Sequence, residues 1–260
     1  MRATQRLLAR LPQRRWPVHA FIASWLLCFG MLSPAAVGLL RGQEAPHYLA
    51  AAQLDASALL PPPPRPGSDE ANADMAQVVA VHRACTTNQA AVAFSEKKFS
   101  IFNFTPAIGE FFQPGKLPKT EQFFSRVQKE AAAATDDAKE IFKRPRPYTV
   151  DPSLASGKLE KSFSYPSGHS TEAMVLALLL VDLVPDKAEA ILQIGNDIGW
   201  HRVLIARHYP TDIYAGRVFA RAIVRELKSS SAFRCDFAEV QSEIATAQRA
   251  KEHQTAAPGS

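Results

Sequence analysis

Residues 171–184 have the sequence TEAMVLALLLVDLV, which indicates how the chain folds. Apolar side chains fall on nearly every side of the helix that the stretch predicts, which is typical of a helix at the centre of a domain. At about 14 residues, the stretch is too short to cross a bilayer. It therefore predicts a buried helix that other segments must cover.

Helical patterns dominate on both sides of this stretch. Ser68 or Asp69 can cap the first of the helices, and Pro145 and Pro147 prevent the second from continuing. The patterns predict helices at 69–84, 120–142, 171–184, 186–207, 211–228 and 237–252. No convincing strand alternation and no internal repeat accompany them. The chain is therefore expected to be all-α, with residues 69–260 forming a single-domain helical bundle.

The N-terminal residues have the pattern of an export signal. The first 41 residues contain six arginines and no acidic residue, and an apolar run at 18–40 follows the first five arginines. The run, about 23 residues long, could also span a bilayer if it stays uncleaved. Residues 1–45 are therefore expected to be a signal peptide or an N-terminal membrane anchor. The expected location is periplasmic or secreted, with anchoring by residues 18–40 as the alternative.

Residues 46–68 contain the proline cluster LPPPPRPG at 60–67. Prolines fix the backbone in an extended conformation, so an extended segment is expected here. It could be a flexible linker. It could equally wrap over the domain surface, because Leu59 and Leu60 need burial.

The net charge of the chain carries little information about partners. The formal net charge is +5, but the six arginines of the N-terminal segment account for all of it. The rest of the chain is near neutral, so composition gives no reason to expect a nucleic-acid partner.

Two of the three cysteines lie outside the N-terminal segment, at Cys85 and Cys235. Two cysteines in an exported chain pair readily, so a disulfide between the first and the last helical segments is expected. The alternative is two separate buried thiols.

Two short segments carry groups that suit a tetrahedral oxyanion. In the first, Lys139 provides a point charge and Arg146 a fork of donors. In the second, Ser167 and Gly168 stand at the start of a helix, where free backbone N–H groups and the positive end of the helix dipole meet. His169 adds a proton donor beside them. Taken singly, these segments could be a solvated basic helix end and an ordinary loop.

A third segment contains Arg202, His208 and Asp212. Pro210 breaks the helix, which places His208 in the turn between two helices and Asp212 in the first turn of the next one. A carboxylate at this spacing can accept a hydrogen bond from one imidazole nitrogen and leave the other free to attack. Taken alone, the pair could be a structural hydrogen bond.

Together the three segments resemble the signature of the acid phosphatases of the phosphatidic-acid phosphatase type 2 superfamily. That signature is lysine, six residues, arginine-proline; then proline-serine-glycine-histidine; then serine-arginine, five residues, histidine, three residues, aspartate. The proline run near Leu60 and the pair Ser164-Tyr165 are similar to the bacterial secreted class A enzymes. One position departs from the signature, because His201 stands where the serine is usual. It could reach the phosphate, change the surroundings of the site or face solvent.

The resemblance implies a helical bundle of the acid phosphatase and vanadium haloperoxidase type and a two-step reaction. His208 would attack phosphorus, His169 would protonate the departing alcohol, and Asp212 would orient His208. The phosphate-binding residues would be Lys139, Arg146, Ser167, Gly168 and Arg202. Because the two histidines need opposite protonation states, activity is expected to be bell-shaped on the acidic to neutral side.

Small phosphomonoesters are the expected substrates, and no cofactor or metal is expected because three cations already serve the phosphate. A membrane is expected as a partner only if the leader stays uncleaved, and a homo-oligomer is left open. Three alternatives use the same residues. They are a membrane-associated lipid or isoprenoid phosphate phosphatase, a vanadium-dependent haloperoxidase and a non-catalytic phosphate-binding protein.

Overall fold

The structure is a computed structural model that describes residues 47–49 and 54–256. The predicted signal peptide or anchor at 1–45 lies outside the described residues. The α-helices of the described part are α1 (Ala56–Leu59), α2 (Asp69–Ala84), α3 (Thr87–Ser95), α4 (Thr105–Ile108), α5 (Pro118–Phe142), α6 (Pro147–Val150), α7 (Gly168–Leu183), α8 (Ala188–Leu204), α9 (Pro210–Ser229) and α10 (Ser231–Ala256). Short 3₁₀ turns occur at Ile101–Phe104, Pro152–Leu154 and Pro185–Lys187.

The described residues form an all-α bundle with no strand, as predicted. Its centre is α7, which packs against α8, α9 and α5. Val175, Leu176 and Leu180 of this helix have no exposed surface, so its apolar sequence is explained by neighbours on every side. The helix buried at the centre is thus the one that the sequence predicts.

Glycines allow α8 and α9 to approach α7 closely. A Cβ atom at Gly195 of α8 would lie 2.9 Å from Cβ of Ala177, and one at Gly216 of α9 would lie 2.9 Å from the backbone oxygen of Ser167. At these distances an added Cβ atom would clash, so no side chain fits at either position. The close packing holds the N-terminal end of α7 against α9, where two of the predicted site segments meet.

The helix α2 has the bounds that the sequence predicts, with the Ser68 hydroxyl accepting from the backbone N–H of Ala71 at 3.2 Å. The helix α3 and the turns after it were not predicted. A capping box between Thr86 and Gln89 starts α3, but its short and half-exposed sequence has no strong apolar periodicity. This segment matters because it packs against α8 and brings Glu96 to the site.

The proline-rich segment 46–68 is not extended throughout, because it contains α1. Asp55 caps that helix by accepting from the backbone N–H groups of Ser57 and Ala58. After it, Leu60 is buried against the core, and the Tyr165 hydroxyl donates to the Pro61 carbonyl at 2.5 Å. The described part of the segment therefore lies on the domain surface and packs against it.

The predicted disulfide is wrong in this structure, because Cys85 and Cys235 are both free thiols. Cys85 ends α2, which packs mainly against α8, whereas Cys235 is an exposed residue of α10, which packs mainly against α5. The spacing of two cysteines in a sequence does not reveal which helices become neighbours. The alternative of two buried thiols is also wrong, since neither cysteine is fully buried.

Within the part of the chain that the structure describes, no helix has both the length and the apolar character that a membrane span requires.

Candidate active site

The three segments that the sequence singled out meet at one end of the bundle. Arg146 Nη1 lies 3.2 Å from His208 Nε2. Lys139 Nζ lies 3.4 Å from the position that a Cβ of Gly168 would occupy. Residues that are far apart in the sequence therefore surround one small region, and three cationic side chains contribute to it.

The turn after α5 orients the basic residues. Lys143, the residue after α5, adopts the left-handed conformation with φ of 48°, so the helix ends before Pro145 and Pro147. Arg146 is then fixed on two sides. Its Nε donates to the Ser162 carbonyl at 2.7 Å, and its Nη1 donates to the Arg207 carbonyl at 3.0 Å. Only 5% of the Arg146 residue is exposed, so its guanidinium is held in one position.

The start of α7 has the geometry of the anion cradle that the sequence predicts. Ser167 is the N-cap, and its hydroxyl accepts from the backbone N–H of Ser170 at 3.4 Å. Gly168 is the first helical residue, and Lys139 Nζ lies close to it. The first N–H groups of a helix have no partner inside the helix and attract anions.

His208 is held by Asp212 as the spacing predicts. Its Nδ1 lies 3.3 Å from Asp212 Oδ2, so the opposite nitrogen, Nε2, faces Arg146. Burial and the nearby Arg146, Lys139 and Arg202 keep the pKa of His208 well below its ordinary value of 6.5. The neutral imidazole therefore donates from Nδ1 and carries a lone pair on Nε2, which is the form that a nucleophile needs.

His169 lies on the other side of the cradle. Its Nε2 is 3.2 Å from the Glu96 carbonyl oxygen. Burial, followed by the charge of Arg202, lowers the pKa of His169 to about 3. The sequence alone gives the ordinary value of 6.5 as the starting point. In the absence of an anion, the structure therefore makes His169 neutral at physiological pH.

Arg202 is buried late in α8 and is fixed by the segment after α3. Its Nη2 donates to the Ala93 carbonyl and lies 3.4 Å from Glu96 Oε2. Its Nε is buried and has no hydrogen-bond partner among the described residues. Burial lowers the pKa of Arg202 to about 10, and Glu96 opposes this shift. Arg202 thus stays protonated, and its buried Nε–H is not used by any described residue.

His201, which departs from the signature, contacts Glu96 rather than facing solvent alone. Its Nδ1 lies 2.8 Å from Glu96 Oε2, and 22% of its side chain is exposed. Of the three expectations for this residue, the structure supports a change in the surroundings of Arg202.

Sequence reasoning missed several groups around these residues. Arg144 Nη1 donates to Asp212 Oδ1 at 2.6 Å, and its Nη2 donates to Asp74 Oδ2 at 2.7 Å. The one signal in the sequence for Arg144 was its position in a basic run, two residues before Arg146. Glu96 and Asp74 lie far from the motifs in the sequence, and no local pattern marks either of them.

Comparison with known proteins decides the family. The model of the PAP2 superfamily matches residues 130–234, the range that contains all three segments. These residues, and with them the candidate site, belong to a PAP2 superfamily domain. A non-specific acid phosphatase from Providencia stuartii is 29% identical over 210 residues, which cover 76% of this chain and 85% of that protein. The resemblance predicted from the motifs is thus confirmed, and this PAP2 chain is a phosphatase of the class A acid phosphatase type.

Two other matches cover less of this chain. An acid phosphatase from Zymomonas mobilis is 30% identical over 147 residues, which cover 55% of this chain and 56% of that protein. Among solved structures, the first transmembrane PAP2 type phosphatidylglycerolphosphate phosphatase from Bacillus subtilis aligns with a TM-score of 0.46 and 23% identity. That alignment covers 67% of this chain and 89% of the other.

Proposed function

We propose that the protein is an exported acid phosphatase that hydrolyses small phosphomonoesters through a phosphohistidine intermediate on His208. The observation that carries the proposal is the state of His208. Its Nδ1 faces Asp212 at 3.3 Å, and its Nε2 points to the guanidinium of Arg146 at 3.2 Å. A neutral imidazole that is oriented by a carboxylate and aimed at an anion-binding group has the arrangement of an activated nucleophile.

In the first step, the lone pair of His208 Nε2 forms a bond to phosphorus while the bond from phosphorus to the ester oxygen breaks. The departing alkoxide takes a proton from His169 and leaves as an alcohol. Lys139, Arg146 and Arg202 stabilise the charge on the equatorial oxygens, together with the N–H groups at the start of α7. Asp212 stabilises the positive charge that develops on the His208 ring.

In the second step, water attacks phosphorus and the N–P bond breaks. His169, now neutral, takes the proton of the attacking water, so that inorganic phosphate is released and both histidines return to their starting state. His169 must carry a proton in the first step although its pKa is about 3 in the free protein. A bound phosphate ester dianion supplies the negative charge that raises this pKa.

The test is phosphate release from an aryl phosphate by wild type, His208→Ala and His82→Ala. His82 is a matched control because its Nδ1 lies 2.7 Å from the Leu204 carbonyl oxygen, outside the phosphate site. We expect His208→Ala to lose about 10³-fold or more of the wild-type turnover, and His82→Ala to retain it. Alkaline quenching of the wild-type reaction with labelled substrate should trap phosphate on His208 in an acid-labile, alkali-stable form. Full activity in His208→Ala would overturn the proposal.

Two further arms of the same assay concern the substrate and the reaction class. Turnover that resists a chelator and is inhibited by vanadate supports the proposed chemistry, whereas dependence on an added metal contradicts it. A phospholipid or isoprenoid phosphate that is hydrolysed much faster than the aryl phosphate would instead favour the lipid phosphatase alternative.

The export proposal rests on the basic and apolar pattern of residues 1–45. The test is expression of the full chain in a Gram-negative bacterium, cell fractionation and N-terminal sequencing. A cleaved protein in the periplasm or the medium is expected. Retention in the membrane fraction with an intact N-terminus would contradict cleavage and favour the anchor.

A further inference from the structure

One carboxylate oxygen links two consecutive residues of α8. Glu96 Oε2 lies 2.8 Å from His201 Nδ1 and 3.4 Å from Arg202 Nη2. Consecutive side chains of a helix diverge by about 100°, so an oxygen that reaches both must lie over the edge between them. Glu96 occupies that place because it follows α3, which packs against α8.

The contacts of Arg202 divide its guanidinium into a fixed part and a free part. Nη2 is fixed by the Ala93 carbonyl and the Glu96 carboxylate, whereas Nε has no partner among the described residues. A buried donor without a partner is costly unless a ligand uses it. The fixed part thus determines where the free N–H points.

His201 makes the contact with Glu96 that the usual residue of the signature would not make. The Nδ1 atom of histidine is two bonds beyond Cβ, whereas a serine hydroxyl is only one bond beyond it. Since the carboxylate accepts, Nδ1 of His201 must donate. The ring is partly exposed, but the Glu96 side chain is 10% exposed, so the hydrogen bond is largely shielded from water.

We propose that His201 and Glu96 form a positioning pair that holds Arg202 in the orientation that binds the phosphoryl group. His201 fixes the Glu96 carboxylate, the carboxylate fixes Nη2 of Arg202, and Nε is left for a phosphate oxygen. His201 is a positioning residue in this arrangement and does not itself contact the substrate. The inference rests on the proposed phosphatase site, because it assigns Arg202 its ligand.

The test compares His201→Asn with His201→Leu. The amide nitrogen of asparagine is two bonds beyond Cβ, like Nδ1, and can donate to Glu96; leucine fills similar space without a donor. We expect His201→Leu to lower kcat/KM for an aryl phosphate by about 10- to 100-fold, the usual effect of a hydrogen bond to a charged group. It should weaken the binding of inorganic phosphate, measured by calorimetry, by a similar factor. His201→Asn should restore most of both.

His82→Leu is the control, because it removes another Nδ1 hydrogen bond near the end of α8. It is expected to lower the melting temperature without changing phosphate affinity. A merely structural role for His201 predicts the same result for His201→Leu. Unchanged phosphate affinity in His201→Leu, or equal losses in the Leu and Asn variants, would therefore overturn the inference.

A double-mutant cycle with Glu96→Ala tests the connection between the two residues. If His201 acts through Glu96, the double variant His201→Leu/Glu96→Ala should be no worse than Glu96→Ala alone. Losses that multiply would show independent roles and overturn the inference. Should His201→Leu fail to fold, Glu96→Gln takes its place, since it removes the charge at constant size; wild-type phosphate affinity in that variant would also overturn it.

The binding measurement separates this inference from the proposed function. A wild-type protein that binds phosphate with the expected pattern across the variants, but hydrolyses no ester, would support the positioning pair and contradict the proposed function. Conversely, wild type could hydrolyse esters while His201→Leu changes neither phosphate binding nor kcat/KM. That result would support the proposed function and contradict the positioning pair.

Discussion

Arg144 Nη1 donates to Asp212 Oδ1 at 2.6 Å, deep in the bundle and 68 residues away in sequence. The other end of the same guanidinium donates to Asp74 Oδ2 at 2.7 Å. Asp212 is fully buried, and burial raises its pKa to about 6, although Arg144 opposes this rise. Arg144 thus keeps ionised the carboxylate that orients His208.

Replacement of Arg144 by methionine should damage both stability and catalysis. Asp212 would lose its buried counter-ion, which typically costs about 3–5 kcal/mol of unfolding free energy. Its pKa would rise further, so the acidic limb of kcat/KM should move to higher pH. Urea denaturation and a pH–rate profile measure the two effects.

Arg126→Met is the control for this change, because Arg126 and Asp236 form a half-exposed pair at 3.2 Å. Its loss should cost only about 1 kcal/mol or less. If Arg144→Met behaved like this control in both measurements, the role of Arg144 would be refuted.

Anion binding should be accompanied by proton uptake on His169. The free protein has a pKa of about 3 at this residue because of burial and the surrounding cations. A bound dianion opposes both causes and raises the pKa, so protons are taken up. Calorimetric titration with sulfate, which does not titrate near neutral pH, should show uptake approaching one proton when repeated in buffers of different ionisation enthalpy. His169→Asn should abolish it, whereas His82→Asn should not; equal uptake in His169→Asn would contradict the general-acid role.

Glu172 should make the protein less stable at alkaline pH. Gln128 Nε2 donates to its Oε2 at 3.1 Å, and burial raises its pKa from 4.5 to about 7. Since the folded pKa exceeds the unfolded one, the contribution to stability is complete below 4.5 and is lost as the pH rises through about 7. The loss is at most about 3 kcal/mol. We expect the free energy of unfolding between pH 5 and 9 to fall less in Glu172→Gln than in wild type.

The same substitution should raise kcat/KM at pH 8. Glu172 Oε1 and Lys139 Nζ both lie within 3.5 Å of the position that a Cβ of Gly168 would occupy, so the ionised carboxylate is close to the anion cradle. Glu140→Gln changes an exposed carboxylate of α5 and should leave both profiles as in wild type. Parallel profiles for Glu172→Gln and wild type would contradict the prediction.

The packing of Gly216 should be coupled to activity. A Cβ there would lie 2.9 Å from the Ser167 backbone oxygen and 2.9 Å from Ser170 Cβ. Gly216→Ala should therefore destabilise the protein by about 1–3 kcal/mol and lower kcat by displacing the start of α7. Gly195→Ala creates a similar 2.9 Å contact with Ala177, about two to three turns further along α7, and should destabilise without a comparable loss of kcat. Equal kcat in the two variants would count against a role for this packing in the site.

Much of the fold was predictable because its signals are local. The apolar stretch 171–184 identifies the central helix, and the cap at Ser68 fixes the start of α2. The turn that contains His208 follows from Pro210, which cannot continue a helix. By contrast, α3 was missed because it is short and half-exposed, and its stability depends on packing against α8.

In the candidate site, too, the local contacts were predictable and the contacts between distant residues were not. The spacing between His208 and Asp212 predicts their contact, since a separation of four residues across a helix start brings the two side chains together. Their roles in catalysis stay predictions. The contacts of Glu96 with His201 and of Arg144 with Asp74 were not predictable, since each joins residues 70 or more positions apart.

Periodicity, capping and fixed spacings act over a few residues, so the sequence was enough to predict the six long helices, the three segments of the candidate site and the superfamily domain. Long-range packing was needed to show that Cys85 and Cys235 stay apart, that Arg144 contacts Asp212, and that Glu96 contacts both His201 and Arg202. These outcomes depend on which helix faces pack together. That packing is fixed by the burial of the whole core around α7 rather than by any single segment.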